Sequence, residues 1–89
     1  MKSITLNYFT DPGHGWVKIK VDILKQLGIS DKISTYSYLK GDYAYLEEDC
    51  DCSLLIKELK SRGIEFKFVE KHTNKSSKIR SYYSYYALL

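Results

Sequence analysis

Short segments in which apolar and polar residues alternate constrain the fold of this chain more than any other feature. Residues 3–10 alternate in this way, as do residues 16–21, and a period of two is typical of a strand with one buried face. Between them, Asp11, Pro12 and Gly13 predict a type II turn, in which Gly13 would have a positive φ. The first part of the chain is therefore predicted to be a β-hairpin.

Helical spacing of apolar residues replaces this alternation in two segments. The first begins at Asp22, and Gly28 stops it. The second begins after Asp49 or Asp51, either of which would be the cap, and it ends at Gly63. Each helix has one apolar face, so each is expected to pack against a sheet.

Three further segments favour strands. Residues 33–39 and 43–47 are rich in tyrosine and predict a second hairpin around the turn 40–42, and residues 64–69 alternate once more. The order β-β-α-β-β-α-β predicts a single α+β domain over residues 1–89. Its sheet is expected to be mainly antiparallel, with both helices on one face.

Composition excludes several classes of protein. A chain of 89 residues has a thin core and little room for an enclosed cofactor, and we predict none. No apolar run is long enough to cross a bilayer and the first residues do not resemble a secretory signal, so we predict a cytoplasmic protein without membrane contact.

The two cysteines, Cys50 and Cys52, stand too close together to link distant elements. They predict reduced thiols, with neither a disulfide framework nor a zinc site. A thiolate at the start of a helix would have a lowered pKa and be reactive. We favour the alternative, in which both are small apolar residues at a strand-helix junction.

Opposite charges are separated along the chain. Residues 41–52 hold five acidic residues and no base, whereas residues 53–89 hold eight basic and three acidic residues. Fields of opposite sign steer a charged partner and orient it. A pair of ordinary solvated surfaces explains the pattern equally well.

The acidic segment is a candidate ligand set. On a strand that leads into a helix, Glu47 and Asp49 are predicted to share one side while Glu48 points away. Two such carboxylates can hold Mg²⁺ or Ca²⁺, and His14 or His72 would complete a transition-metal site. Acids near a helix N-terminus are also stabilising without any ligand, so we favour that interpretation and predict no metal.

Residues 11–16, Asp-Pro-Gly-His-Gly-Trp, form the most distinctive segment of the chain. Glycines on both sides of His14 let a ligand approach the backbone, and an imidazole transfers protons near neutral pH. Paired with His72, His14 would make a small ribonuclease that needs no metal. Its phosphate would be bound by Lys75, Lys78 or Arg80. We favour a tight turn in which Trp16 closes one end of the core.

Beyond the last predicted strand, residues 71–80 predict a polar loop and residues 81–89 an edge strand or an arm. Basic and tyrosine residues follow one another here: Lys75, Lys78, Arg80, Tyr82, Tyr83, Tyr85 and Tyr86. Cations beside aromatic rings hold single-stranded nucleic acid, but tyrosine and arginine are also enriched at protein interfaces. We favour protein contact, and an edge strand here would also allow a homodimer.

A resemblance to a known family rests on five segments: 9–16 (FTDPGHGW), 36–38 (YSY), 45–51 (YLEEDCD), 72–74 (HTN) and 79–82 (IRSY). Together they resemble a family of small uncharacterised proteins of bacteriophages, plasmids and integrating elements. The resemblance covers most of the chain and implies one domain, and it implies no catalytic residues. By analogy, small accessory proteins of mobile elements often block a host defence system such as a CRISPR effector or a restriction enzyme.

We therefore predict a non-enzymatic binding protein of a phage or mobile element, an inhibitor that contacts a host protein or ribonucleoprotein complex. Its predicted binding residues are Trp16, Glu47, Glu48, Asp49, Asp51, Lys75, Lys78, Arg80, Tyr82, Tyr83, Tyr85 and Tyr86. Two alternatives stay open. One is a small nuclease, metal-independent or metal-assisted, that uses His14 and His72, and the other is an accessory protein that binds single-stranded nucleic acid.

Overall fold

The computed structural model describes residues 2–86, which form six strands, two α-helices and one short 3₁₀ helix. In chain order these are β1 (Ser3–Thr10), β2 (Gly15–Lys20), α1 (Val21–Gln26), β3 (Tyr38–Lys40), β4 (Tyr43–Glu47), α2 (Cys52–Ser61), β5 (Glu65–His72), the 3₁₀ helix (Lys78–Ser81) and β6 (Tyr83–Ser84). The strands form one sheet in the order β5-β1-β2-β4-β3-β6, in which β1 and β5 are parallel and every other described pair is antiparallel. The predicted α+β class with a mainly antiparallel sheet is confirmed. Neither α-helix in this part of the chain has the length and apolar character that a membrane crossing requires.

Both helices pack against the same face of the sheet, as predicted. Strand alternation places Val17 of β2 and Leu46 of β4 on this face, where they join Leu24 of α1 with Leu55 and Leu59 of α2. All five side chains are completely buried. Full burial of one such side chain stabilises a fold by about 1.5–3 kcal/mol. We call this layer the main core.

Glycines end both helices, as expected. Gly28 after α1, Gly63 after α2 and Gly41 between β3 and β4 have φ values of 72°, 68° and 59°. This left-handed region is open to glycine because it has no Cβ. Gly13 is not among the residues with positive φ, so the predicted type II turn is wrong. The Asp11 carboxylate shapes that turn instead, because it accepts the N–H groups of Gly13 and of the next residue at 3.0 and 2.9 Å.

The third predicted strand is shorter than expected. Residues 33–39 predict a strand, but β3 begins at Tyr38. The hydroxyl groups of Ser34 and Ser37 donate to the Asp51 carboxylate at 2.7 and 2.5 Å. Side-chain hydrogen bonds therefore hold this segment in place of a strand ladder. Asp51 precedes α2 at the cap position, but its carboxylate serves this network and does not cap the helix.

The end of the chain differs from the predicted loop and arm in two ways. Strand β5 continues to His72 because it pairs with β1 as far as Thr10, so the loop begins at residue 73. The predicted edge strand is present as β6, which covers two residues and pairs with β3. The last three positions of the predicted segment 81–89 lie outside the described residues.

Candidate functional site

Lysine and aromatic side chains occupy the sheet face opposite the helices. The strand register pairs them as follows: Lys18 with Tyr45, Lys40 with Tyr43, and Phe9 with both Trp16 and Lys71. The Lys18 ammonium lies 4.2 Å from the centroid of the Tyr43 ring, within the range of a cation–π interaction. This face therefore combines positive charge with aromatic rings.

The chain after β5 folds back over part of this face. Ile79 of the 3₁₀ helix is buried in a small cluster with Trp16 and Tyr45. Ser77 fixes the start of that helix, because its Oγ accepts the N–H of Ile79 at 3.2 Å and its own N–H donates to the Asp11 carboxylate at 2.9 Å. The returning segment forms one wall of a groove, and the sheet forms the other.

Two adjoining depressions, of about 370 and 350 Å³, lie along this segment and share Phe9, Ser77 and Lys78. We call them together the basic groove. Five lysines line the basic groove: Lys18, Lys40, Lys71, Lys75 and Lys78. None of the described residues that line it is acidic. Such a lining gives the groove a positive potential, which suits a polyanion.

Three aromatic rings also line the basic groove. Tyr45 is 6% exposed and packs against Phe9 and Tyr82, with centroid distances of 6.2 and 5.2 Å. Burial raises the pKa of the Tyr45 hydroxyl. The rings of Phe9 and Tyr82 stay partly exposed, and the Lys40 ammonium lies 5.2 Å from the Tyr82 centroid. The groove thus offers ring faces beside its cations.

A further depression, of about 270 Å³, lies where β2 begins and β4 ends. We call it the acidic cavity. Its lining residues are His14, Trp16, Tyr36, Tyr38, Glu47, Asp49, Cys50 and Arg80. Strand pairing creates it, because Trp16 lies opposite Glu47 and the N–H of Glu48 donates to the Gly15 carbonyl at 3.0 Å. This pairing brings the turn after β1 beside the acidic segment, with His14 Nδ1 3.3 Å from Glu47 Oε1.

Arg80 pairs with the turn that follows β1. Its Nε and Nη2 donate to the buried Asp11 carboxylate at 2.7 and 2.9 Å, and its guanidinium lies 5.4 Å from the Trp16 ring. The Arg80 hydrogen bonds, with those from three backbone N–H groups, hold the pKa of the Asp11 carboxyl far below its usual range. Arg80 therefore ties the end of the chain to the first turn, while its binding role stays a prediction.

Glu47 and Asp49 lie on one side and Glu48 points away from them, as predicted. Glu47 and Asp49 both line the acidic cavity, whereas Glu48 accepts a hydrogen bond from the Tyr8 hydroxyl. Tyr8 packs against the main core, on the other face of the sheet. Asp51 is 4% exposed and fully engaged with serines, so it cannot contact a partner, which corrects its place among the predicted binding residues.

The two imidazoles occupy different depressions. His14 lines the acidic cavity, whereas His72 lines the basic groove at the end of β5. The Nδ1 atom of His72 lies 2.8 Å from Thr10 Oγ1, and its Nε2 atom lies 3.0 Å from Asn74 Oδ1. General acid and base catalysis would need both imidazoles at one scissile phosphate. The two imidazoles of the predicted nuclease pair therefore do not share one depression.

The four tyrosines near the end of the chain reach three different environments. Tyr82 lines the basic groove, whereas Tyr83 and Tyr86 are 82% and 61% exposed. Tyr85 is 2% exposed, and its hydroxyl donates to the backbone carbonyl of Ser30. Because a buried ring cannot contact a partner, the predicted binding role of Tyr85 is corrected.

Both cysteines are free thiols with raised pKa values. Partial desolvation and the Glu47 carboxylate raise the pKa of Cys50, and burial raises the pKa of Cys52 to about 11. A lowered thiol pKa at the helix start is therefore wrong, since burial and nearby carboxylates disfavour a thiolate. The interpretation as a small apolar residue is confirmed for Cys52, which is buried, while Cys50 is exposed.

No protein-family model, curated protein or solved structure matches this chain. The resemblance to mobile-element proteins therefore stays a prediction. Support for a function comes from the geometry of the basic groove and the acidic cavity.

Part of the basic groove is missing from the predicted binding residues. Lys18, Lys40 and Phe9 lie on strands, far along the chain from Lys75. One signal was available in the sequence. Lys18 stands between Val17 and Ile19, so strand alternation places it on the face opposite these core residues.

Proposed function

We propose that this protein binds single-stranded nucleic acid in the basic groove and does not cleave it. The observation that carries the proposal is the groove lining, in which five lysines and no acidic residue of the described chain surround three aromatic rings. Lysines that neutralise phosphates release counterions, and this release drives the binding of a polyanion. Phosphates of a bound strand would follow the lysines from Lys71 to Lys40.

The aromatic rings favour a single strand over a duplex. Unpaired bases expose their faces for stacking, and each base stacked on a protein ring contributes about 1–3 kcal/mol. Phe9 and Tyr82 are the rings of the groove that are partly exposed, and the buried Tyr45 supports both of them. Two bases could therefore stack while the lysines hold the backbone, and no base sequence would be preferred.

Fluorescence anisotropy with a labelled oligo(dT) of about 12 nucleotides, a length typical of single-strand sites, tests the proposal. Saturable binding is expected, and an unlabelled duplex of the same length should compete poorly. Lys78→Gln removes the lysine that both depressions share. At about 0.1 M salt this variant should bind about fivefold more weakly, because one phosphate contact contributes about 0.7 to the logarithmic salt dependence.

Lys60→Gln is the matched control, since Lys60 is an exposed lysine of α2, on the helix side of the sheet. It removes the same charge but should leave binding unchanged. If Lys60→Gln weakens binding as much as Lys78→Gln does, only net charge matters and the groove is not the site. Absence of saturable binding to DNA and RNA strands would also refute the proposal.

A specific observation favours protein contact as a second candidate function. Tyr36, Tyr83 and Tyr86 are 70%, 82% and 61% exposed, and β6 pairs with β3 at the edge of the sheet. Tyrosine is enriched in the cores of protein interfaces. We propose that these side chains would contact a host defence complex, for which the chain would act as an inhibitor.

Capture from a nuclease-treated host lysate tests this second candidate. A stoichiometric protein should be retained by the natural chain and by Lys78→Gln, and lost when Tyr83 and Tyr86 are both changed to Ser. Equal capture by the double variant would contradict it. Loss of capture after nuclease treatment would instead indicate nucleic acid as the bridge.

We further propose that the protein works in the cytoplasm. Cys50 and Cys52 are both free, as is usual in a reducing compartment. Nucleic acid and host defence complexes are also available there. Fractionation of cells that produce the tagged protein should recover it with cytoplasmic markers, and recovery with secreted proteins would contradict the assignment.

A further inference from the structure

Three potential metal ligands meet at the acidic cavity, apart from the basic groove. One ligand atom each from His14, Glu47 and Asp49 lies within 4.8 Å of the other two. The residues come from the turn before β2 and from the end of β4, and the pairing of these strands brings them together. A nitrogen and two carboxylate oxygens at this spacing can reach a single cation.

Among residues 2–86, no lysine or arginine forms an ion pair with Glu47. The residue is 7% exposed. Its Oε1 atom lies 3.3 Å from His14 Nδ1, and its Oε2 atom accepts the backbone N–H of Asp49 at 2.8 Å. Arg80, the other base on the cavity wall, is engaged with Asp11. Buried carboxylates are normally paired with a cation or bound to a metal, because desolvation of an isolated charge is costly.

A second, independent observation comes from Trp16. Its side chain lines the same cavity and is 2% exposed, yet its indole Nε1 has no hydrogen-bond partner among residues 2–86. An unsatisfied buried donor costs about 1–3 kcal/mol and normally has an acceptor. This N–H group is therefore a polar group beside the cavity that the described side chains leave unsatisfied.

We propose that His14, Glu47 and Asp49 bind a divalent first-row transition-metal ion, in place of the metal-free cluster expected from the sequence. The imidazole ligand favours a transition metal over Mg²⁺ or Ca²⁺. Mg²⁺ and Ca²⁺ prefer oxygen ligands alone, whereas Mn²⁺, Co²⁺ and Zn²⁺ accept imidazole together with carboxylate. Cys50 also lines the cavity but is not one of the three clustered ligands.

Trp16 provides the assay, because it is the single tryptophan of the chain and lines the cavity. Titration with Co²⁺ should quench its fluorescence in a saturable way, with one ion per chain. His14→Gln and Asp49→Asn should each weaken Co²⁺ binding by at least about tenfold, a loss that even the supporting residues of metal sites can cause. Both residues are exposed, so these variants are expected to fold.

Matched controls separate this site from its surroundings. Glu48→Gln changes the neighbouring acid that bonds Tyr8, His72→Gln changes the other imidazole, and Cys50→Ser removes the nearby thiol. All three should bind Co²⁺ as the natural chain does. The proposal is overturned if Co²⁺ does not bind, if the His14 and Asp49 variants bind unchanged, or if Mg²⁺ displaces Co²⁺ at equal concentration.

The metal site does not depend on the proposed binding of nucleic acid. Lys78→Gln should lose affinity for oligo(dT) and keep its affinity for Co²⁺, whereas His14→Gln should do the reverse. The two titrations therefore distinguish failure of the metal site from failure of the groove.

Discussion

Added salt should weaken the binding of a single strand. The number of lysines that line the basic groove sets an upper limit on this effect. Five lysines line the groove, and each phosphate contact of a single strand adds about 0.7 to the slope of log affinity against log salt. The slope should therefore be no steeper than about −3.5. Between about 50 and 200 mM NaCl, the affinity for oligo(dT) should fall by at most about 130-fold.

Anisotropy titrations at four or more salt concentrations would measure this slope. Neutralising one groove lysine, as in Lys78→Gln, should make it shallower by about 0.7, and neutralising Lys18 as well should make it shallower by about 1.4. Lys60→Gln should leave the slope unchanged. The argument from the groove lining would be refuted if the Lys18 and Lys78 variants had the same slope as the natural chain. A slope steeper than five contacts allow would also refute it.

Three further predictions concern stacking and stability. Tyr82→Ala should weaken oligo(dT) binding by about 1–3 kcal/mol while Tyr82→Phe keeps it, and equal losses would argue against stacking. Ser37→Ala should lower the free energy of unfolding in urea by about 1–3 kcal/mol, because it leaves the buried N–H of Glu47 without its acceptor, and exposed Ser53→Ala should not. Burial raises the pKa of Tyr85, so the unfolded chain loses this proton first and stability should fall as pH rises above about 10. Tyr85→Phe should show a smaller fall, and an identical fall would contradict that cause.

Local signals were enough to predict most of the elements. Helix ends at Gly28 and Gly63 follow from the backbone freedom of glycine, which needs no tertiary contact. The third strand was mispredicted because Ser34 and Ser37 bond to Asp51, which is more than ten positions away in the chain. Strand propensity in tyrosine-rich segments is overridden when such side-chain bonds are available.

The candidate site could be predicted only where its residues are neighbours in the sequence. Lys75, Lys78 and Tyr82 stand close together, and all three line the basic groove. Lys18 joins them through the order of the strands, which no local pattern specifies. The pairing of Arg80 with Asp11 could not be predicted for the same reason, since Asp11 lies 69 positions earlier in the chain.

The most direct test of the central claim is to map amide chemical shifts of the labelled protein by NMR during titration with oligo(dT). Changes should concentrate in the groove, at Phe9, Lys18, Lys40, Lys71 and the segment 75–82, and should be small in α1 and α2. Such a map would place the strand between the returning segment and the sheet. Changes centred on the helices, or no changes at saturating oligo(dT), would contradict the account.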